Sequence, residues 1–132
     1  MTNKRAAVLA AIGILAAAAA GPALAQDRGW GMIGQRQVSG GAHRDTIPAR
    51  GGEQYRQIMF CVEDAPIRFR AVTIRFQGGT SQEATLRDRI AAGRCGGAIT
   101  LRGRDRVVAG LDIAYEAASL GGATAKVQAY AR

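Results

Sequence analysis

Gln57-Ile58-Met59-Phe60-Cys61-Val62-Glu63-Asp64-Ala65-Pro66-Ile67-Arg68-Phe69-Arg70-Ala71-Val72-Thr73-Ile74-Arg75-Phe76 is the stretch that decides the fold class. Ile58, Phe60 and Val62 alternate with Gln57, Met59 and Cys61, the period of a strand with one face in a core. Glu63-Asp64-Ala65-Pro66 is turn chemistry, and its proline cannot donate to a central ladder. Ile67 and Phe69 then alternate with Arg68 and Arg70. From Val72 the apolar set moves to even positions, Val72, Ile74 and Phe76. Such a switch would turn half of one strand inside out, so the pattern predicts a bulge or bend near Ala71.

The same period recurs on either side. Trp30 to Val38 reads as a first strand and Thr124 to Tyr130 as a last one. Val107, Ala109, Leu111, Ile113 and Tyr115 alternate through a long strand in which Gly110 suggests a bulge. Ala98-Ile99-Thr100-Leu101 is a short strand, and Glu83 to Ile90 fits either a strand or a helical turn. Gly78-Gly79-Thr80-Ser81 is a tight turn, Gly93 to Gly97 a loop holding Cys95, and Arg102-Gly103-Arg104-Asp105-Arg106 reads as a hairpin turn. Between Val38 and Tyr55 a polar, glycine-rich loop encloses an extended piece at Thr46-Ile47, and Ala117 to Ala125 is a loose connection. Seven or eight short strands with no long amphipathic helix predict an all-β domain, a small antiparallel β-sandwich or barrel.

The N-terminus has a different grammar. Lys4 and Arg5 precede an apolar run from Ala6 to Ala20, Gly21-Pro22 breaks it, and Ala23-Leu24-Ala25 offers small residues for cleavage. That order is a secretory signal over residues 1–25, leaving residues 26–132 as one domain in the periplasm or outside the cell. A retained membrane anchor is the rival, but alanine contributes little transfer energy and Pro22 interrupts the span. Position 26 is glutamine, so a lipid-anchored lipoprotein is not indicated. The chain's formal charge of +8 falls to +6 without Lys4 and Arg5.

Cys61 and Cys95 are the only cysteines. In an oxidising compartment an even count in a small domain favours a disulfide, and closing roughly 35 residues would contribute about 3–4 kcal/mol. The alternative is two thiols out of bonding reach. Neither a redox CxxC nor a zinc-ligand spacing is present, so no metal or cofactor is expected.

Four pieces in order then carry a family resemblance: Ile33-Gly34 ahead of Val38, Asp45-Thr46-Ile47, the strand pair Ile58 to Phe76 ending at Gly78-Gly79, and Ala92-Gly93 leading into Ile99-Thr100-Leu101 and Val107 to Tyr115. Together they resemble the family of small bacterial periplasmic proteins known as domain of unknown function 2541. The resemblance covers about Trp30 to Tyr115 and implies an exported β-sandwich-like domain; it brings no catalytic residues.

The sequence offers few sites of chemistry. Ser39, His43 and Asp45 gather a hydroxyl, the only histidine and a carboxylate, which makes a small exported hydrolase using the His43–Asp45 loop one alternative. No GxSxG elbow accompanies them. His43-Arg44-Asp45 also spells a kinase tripeptide, but the chain has no Gly-rich loop or paired lysine. The glycines at 78–79 and 93–97 lack phosphate-loop spacing. Arginine placement carries more. Arg68 and Arg70 share a strand face, Arg87, Arg89 and Arg94 flank a short element, and Arg102, Arg104 and Arg106 alternate through a turn. If Arg68, Arg70, Arg102, Arg104 and Arg106 converge, they form a basic patch for an anionic envelope component or another protein. Asp88, Asp105 and Asp112 lie among them, so a partly neutralised solvated face is the plainer reading. Nucleic acid is disfavoured because no recognised nucleic-acid motif is present. Trp30, Tyr55, Tyr115 and Tyr130 would either line a surface or pack strand ends. The expectation is a non-enzymatic binding module, with strand-edge assembly as a further alternative.

Overall fold

The computed structural model describes residues 29–40, 43–50, 52–104, 106–116 and 122–132. The segment read as a secretory signal, residues 1–25, therefore lies outside the described residues, as does most of the connection after Glu116. Eleven strands are formed by the described residues: β1 (Gly31–Ser39), β2 (Arg44–Pro48), β3 (Gln54–Tyr55), β4 (Gln57–Glu63), β5 (Ile67–Phe76), β6 (Ser81–Ala84), β7 (Arg89–Ile90), β8 (Arg94–Cys95), β9 (Ile99–Thr100), β10 (Arg106–Tyr115) and β11 (Thr124–Ala131).

Alternation sorts them into two antiparallel sheets stacked face to face. The first runs β1-β11-β4, with β8 and β9 on the outer edge of β4; the second runs β2-β10-β5-β6, with β3 on β10 and β7 on β5. Inward residues of the first sheet are Val38, Ile58, Phe60, Val62, Ala125, Val127, Ala129 and Ala131. The second contributes Ile47, Ile67, Phe69, Val72, Ile74, Phe76, Val108, Leu111 and Ile113. Small alanines on β11 face larger side chains of the other sheet, as interdigitating layers require. Phe60 and Phe69 meet across the interior with ring centroids 5.8 Å apart.

Two ladder irregularities explain the switches of period. Ala71 pairs with Ala114 and Phe69 with Tyr115, so Arg70 is the extra residue of a bulge on β5. The shift expected near Ala71 is this bulge. On β10, Val108 pairs with Phe76 and Gly110 with Arg75, leaving Ala109 as the extra residue. The inward residue before that bulge is therefore Val108, not Val107 as strict alternation from Leu111 would give.

Connections depart further from the sequence reading. β4 and β5 belong to opposite sheets, so Glu63–Pro66 is an arch across the sandwich, with Asp64 at φ 78°. The Arg102–Arg106 segment is likewise not a hairpin turn: β9 pairs with β4 in the first sheet and β10 with β5 in the second. Alternation tells which face a residue takes but not which strand lies beside it.

Each open edge of the sandwich is laced by polar side chains. At one, Asp45 of β2 accepts from the Tyr115 hydroxyl at 2.8 Å and pairs with Arg36 of β1 at 3.4 Å. At the other, buried Gln82 of β6 donates to the Thr100 carbonyl at 3.0 Å and accepts from the Arg102 amide at 2.7 Å. β1 and β2 also touch closely: a Cβ on Gly34 would lie 2.6 Å from the Pro48 carbonyl oxygen.

Candidate anion-binding face

The outer face of the second sheet gathers arginines because β5 and the segment leading into β7 run side by side with alternating Arg residues. Arg68 and Arg89 are direct cross-strand partners, next to the pair Ile67 and Ile90. The Phe69 amide donates to the Asp88 carbonyl at 3.0 Å, which continues the pairing one residue further. The bulge then presents Arg70, and Arg68, Phe69, Arg70, Arg87 and Glu116 line an open depression of about 460 Å³. Bulges commonly re-aim side chains in this way. Glu116 of the β10 end pairs with Arg68 at 3.7 Å. Three guanidinium groups, those of Arg68, Arg70 and Arg87, thus line the depression with Glu116, and Arg89 stands across the ladder from Arg68, an arrangement suited to phosphate, sulfate or carboxylate.

Of the five arginines grouped from the sequence, Arg68 and Arg70 belong to this site. Arg102, Arg104 and Arg106 lie near Phe76, at the far end of β5, six residues or roughly 20 Å from Arg70. Arg106 is engaged in the fold: its guanidinium stacks 3.8 Å from the Phe76 ring centroid and donates to the Arg102 carbonyl and the Thr80 hydroxyl, both at 2.8 Å. Arg102 and Arg104 are exposed. Arg94 pairs with Val62 in the other sheet. Arg87 and Arg89 complete the cluster instead, and their alternation was the visible signal for it.

Beside the arginines, the same face carries a second open depression of about 470 Å³ lined by Arg44, Thr46, Ala71, Thr73, Glu83, Asp112 and Ala114 among others. Its floor is low because Ala71 and Ala114 are cross-strand partners. Asp112 accepts from the Thr46 hydroxyl at 2.9 Å and from Arg75 Nε at 3.0 Å.

The His43 loop is arranged differently from a hydrolytic triad. The Asp45 carboxylate is engaged by Tyr115 and Arg36. His43 is exposed, and its carbonyl accepts from the Tyr115 amide. Burial first, and then the hydrogen bond and charge of Asp45, push the Tyr115 hydroxyl well above the usual tyrosine range, against a smaller opposing pull from Arg36.

The aromatics are mostly interior rather than surface-lining. Tyr115 is fully buried, and Trp30 and Tyr130 pack with Met59 and the Cys61–Cys95 disulfide in a smaller cluster on the outside of the first sheet. Arg132 stacks 4.5 Å over Trp30. Cys61 and Cys95 are cross-strand partners of β4 and β8 and are bonded to one another, so the segment read as a loop around Cys95 is a short strand. A disulfide of this kind fits an extracellular or periplasmic setting.

Comparison with known proteins agrees with the architecture. One solved structure, described as the structural and functional characterization of Pseudomonas aeruginosa AlgX, superposes with a TM-score of 0.52 at 15% identity, covering 80% of this chain. The match spans 27% of that protein, a little over a quarter of its length, and shows a shared fold. A search of curated proteins gives no match. The family described as Domain of unknown function (DUF2541) matches residues 8–131, nearly the whole sequence. With the two-sheet architecture and the ordered motifs in agreement, the chain belongs to the DUF2541 family.

Proposed function

We propose that the protein is an exported, non-enzymatic binding module whose outer second sheet takes an anionic partner of the cell envelope. The observation that carries this reading is the convergence of Arg68, Arg70, Arg87 and Arg89 on one face, with Arg70 presented by a bulge. Like charges placed directly across a ladder are unfavourable by themselves, which is the arrangement a ligand anion would relieve. Export rests on the signal order of residues 1–25 and is supported by the disulfide; N-terminal sequencing of the secreted product is expected to begin at Gln26. The hydrolase alternative is weaker, since Asp45 is engaged by Tyr115 and Arg36.

Chromatography on a sulfated polyanion resin tests the reading. Arg70→Ser with Arg87→Ser should elute at clearly lower salt than wild type, whereas Arg102→Ser with Arg104→Ser, which removes equal charge elsewhere, should shift elution much less. Equal shifts for the two double variants would show only net charge at work and would remove the proposed site.

A further inference from the structure

We infer that the anionic partner is a saccharide bearing acid groups, laid across the outer face of the second sheet with one acid on the arginines and neighbouring hydroxyls in the alanine-floored trough. The inference rests on the arginine site described above and names the chemistry of its ligand.

Two depressions of similar size adjoin on this face, Arg70 lining one and the next residue, Ala71, the other. Their chemistry differs sharply. The first is rich in guanidinium. The second is rimmed by the carboxylates of Glu83 and Asp112, the hydroxyls of Thr46 and Thr73 and the guanidinium of Arg44. A ligand charged at every unit, such as polyphosphate or nucleic acid, would set its next anion against Glu83 and Asp112. What suits the trough is a neutral group that donates hydrogen bonds. Asp112 already accepts from Thr46 and Arg75, but a carboxylate offers about four acceptor positions, so capacity remains.

The floor narrows the choice further. Ala71 and Ala114 offer two methyl groups and leave a flat apolar contact between taller neighbours. From Arg44 on β2 to Glu83 on β6 is three strand spacings, about 14 Å, wide enough for more than one sugar ring. Hydroxyls around an apolar ring face match both rim and floor. An acidic peptide matches them poorly: peptides add to sheets through strand edges, and this floor lies over β10 and β5, the two inner strands.

Calorimetric titration of the folded chain with a hyaluronan hexasaccharide, whose acid groups stand on every second ring, and with a glutamate peptide of equal charge, tests this. The hexasaccharide should bind wild type more tightly than the peptide. Ala71→Gln with Ala114→Gln, which fills the floor without changing charge, should weaken the hexasaccharide about tenfold and leave the peptide within about twofold. Should that variant fail to fold, Glu83→Gln on the exposed edge strand keeps the test alive: it should weaken only the hexasaccharide, by a few-fold. The peptide binding as tightly as the hexasaccharide, or both trough variants retaining full hexasaccharide affinity, overturns the saccharide assignment while leaving the arginine site standing. If neither ligand binds wild type, the arginine reading fails and the assignment with it.

Discussion

Arg68 on β5 and Arg89 on β7 face each other across the ladder, so two guanidinium groups share one edge of the second sheet. Opposed like charges cost a few tenths to about 1 kcal/mol in such positions. Arg89→Thr should therefore leave the fold equally stable or raise it by about 0.5 kcal/mol at low salt, with the difference shrinking at high salt. Thermal unfolding at two ionic strengths reads this directly. A clear loss of stability would mean that Arg89 serves the fold rather than a ligand.

Tyr115 gives the alkaline behaviour of the domain. Folding raises its hydroxyl above the ordinary value of 10, so its contribution is complete below pH 10 and fades as pH climbs beyond it toward the folded value. Tyr115→Phe should cost about 1.5–3 kcal/mol at neutral pH, because a hydrogen bond to a charged carboxylate is lost. The gap from wild type should narrow above pH 10 in urea unfolding measured at stepped pH. Tyr55 and Tyr130 are also raised, chiefly by burial, so some alkaline slope should persist in the variant.

Gly34→Ala should be poorly tolerated. Its Cβ would meet the Pro48 carbonyl at 2.6 Å and the Ile47 Cγ2 at 2.7 Å, and β1 would have to move away from β2. A loss of about 1–3 kcal/mol is expected from such overpacking. Gly31→Ala on the same strand meets nothing within 4 Å and serves as the control. Comparable unfolding midpoints for the two variants would contradict the tight approach.

Cys61 and Cys95 close a span of 34 residues, and their removal as Cys61→Ala with Cys95→Ala should cost about 3–4 kcal/mol. Denaturant unfolding with and without reductant should show the loss in wild type and no reductant effect in the variant.

Much of this fold was legible in the chain because burial leaves a period. The odd-to-even shift between Phe69 and Val72 announced the bulge at Arg70, and the paired cysteines announced their bond. Partner choice was not legible. Nothing in Glu63–Pro66 or Arg102–Arg106 distinguishes a hairpin from an arch, since both need the same turn-forming residues. That ambiguity misgrouped the arginines: Arg102, Arg104 and Arg106 alternate as cleanly as Arg87 and Arg89, yet only the latter reach β5 beside Arg68. Gln82 was invisible for a related reason. A lone glutamine inside a polar stretch gives no hint that it will be buried at 7% exposure and clip two sheets together.

The bulge at Arg70 also makes β5 unevenly tolerant of length change. Deleting residue 70 would merge the two halves of the strand into one regular ladder, with Ile67, Phe69, Val72, Ile74 and Phe76 still aimed inward and only a cation lost from the rim. Deleting Thr73, three positions on, would instead rotate Ile74 and Phe76 into water and bring Arg75 indoors. Along this strand, then, the reading frame of the interior has a single slack link, and it is the one that carries the guanidinium.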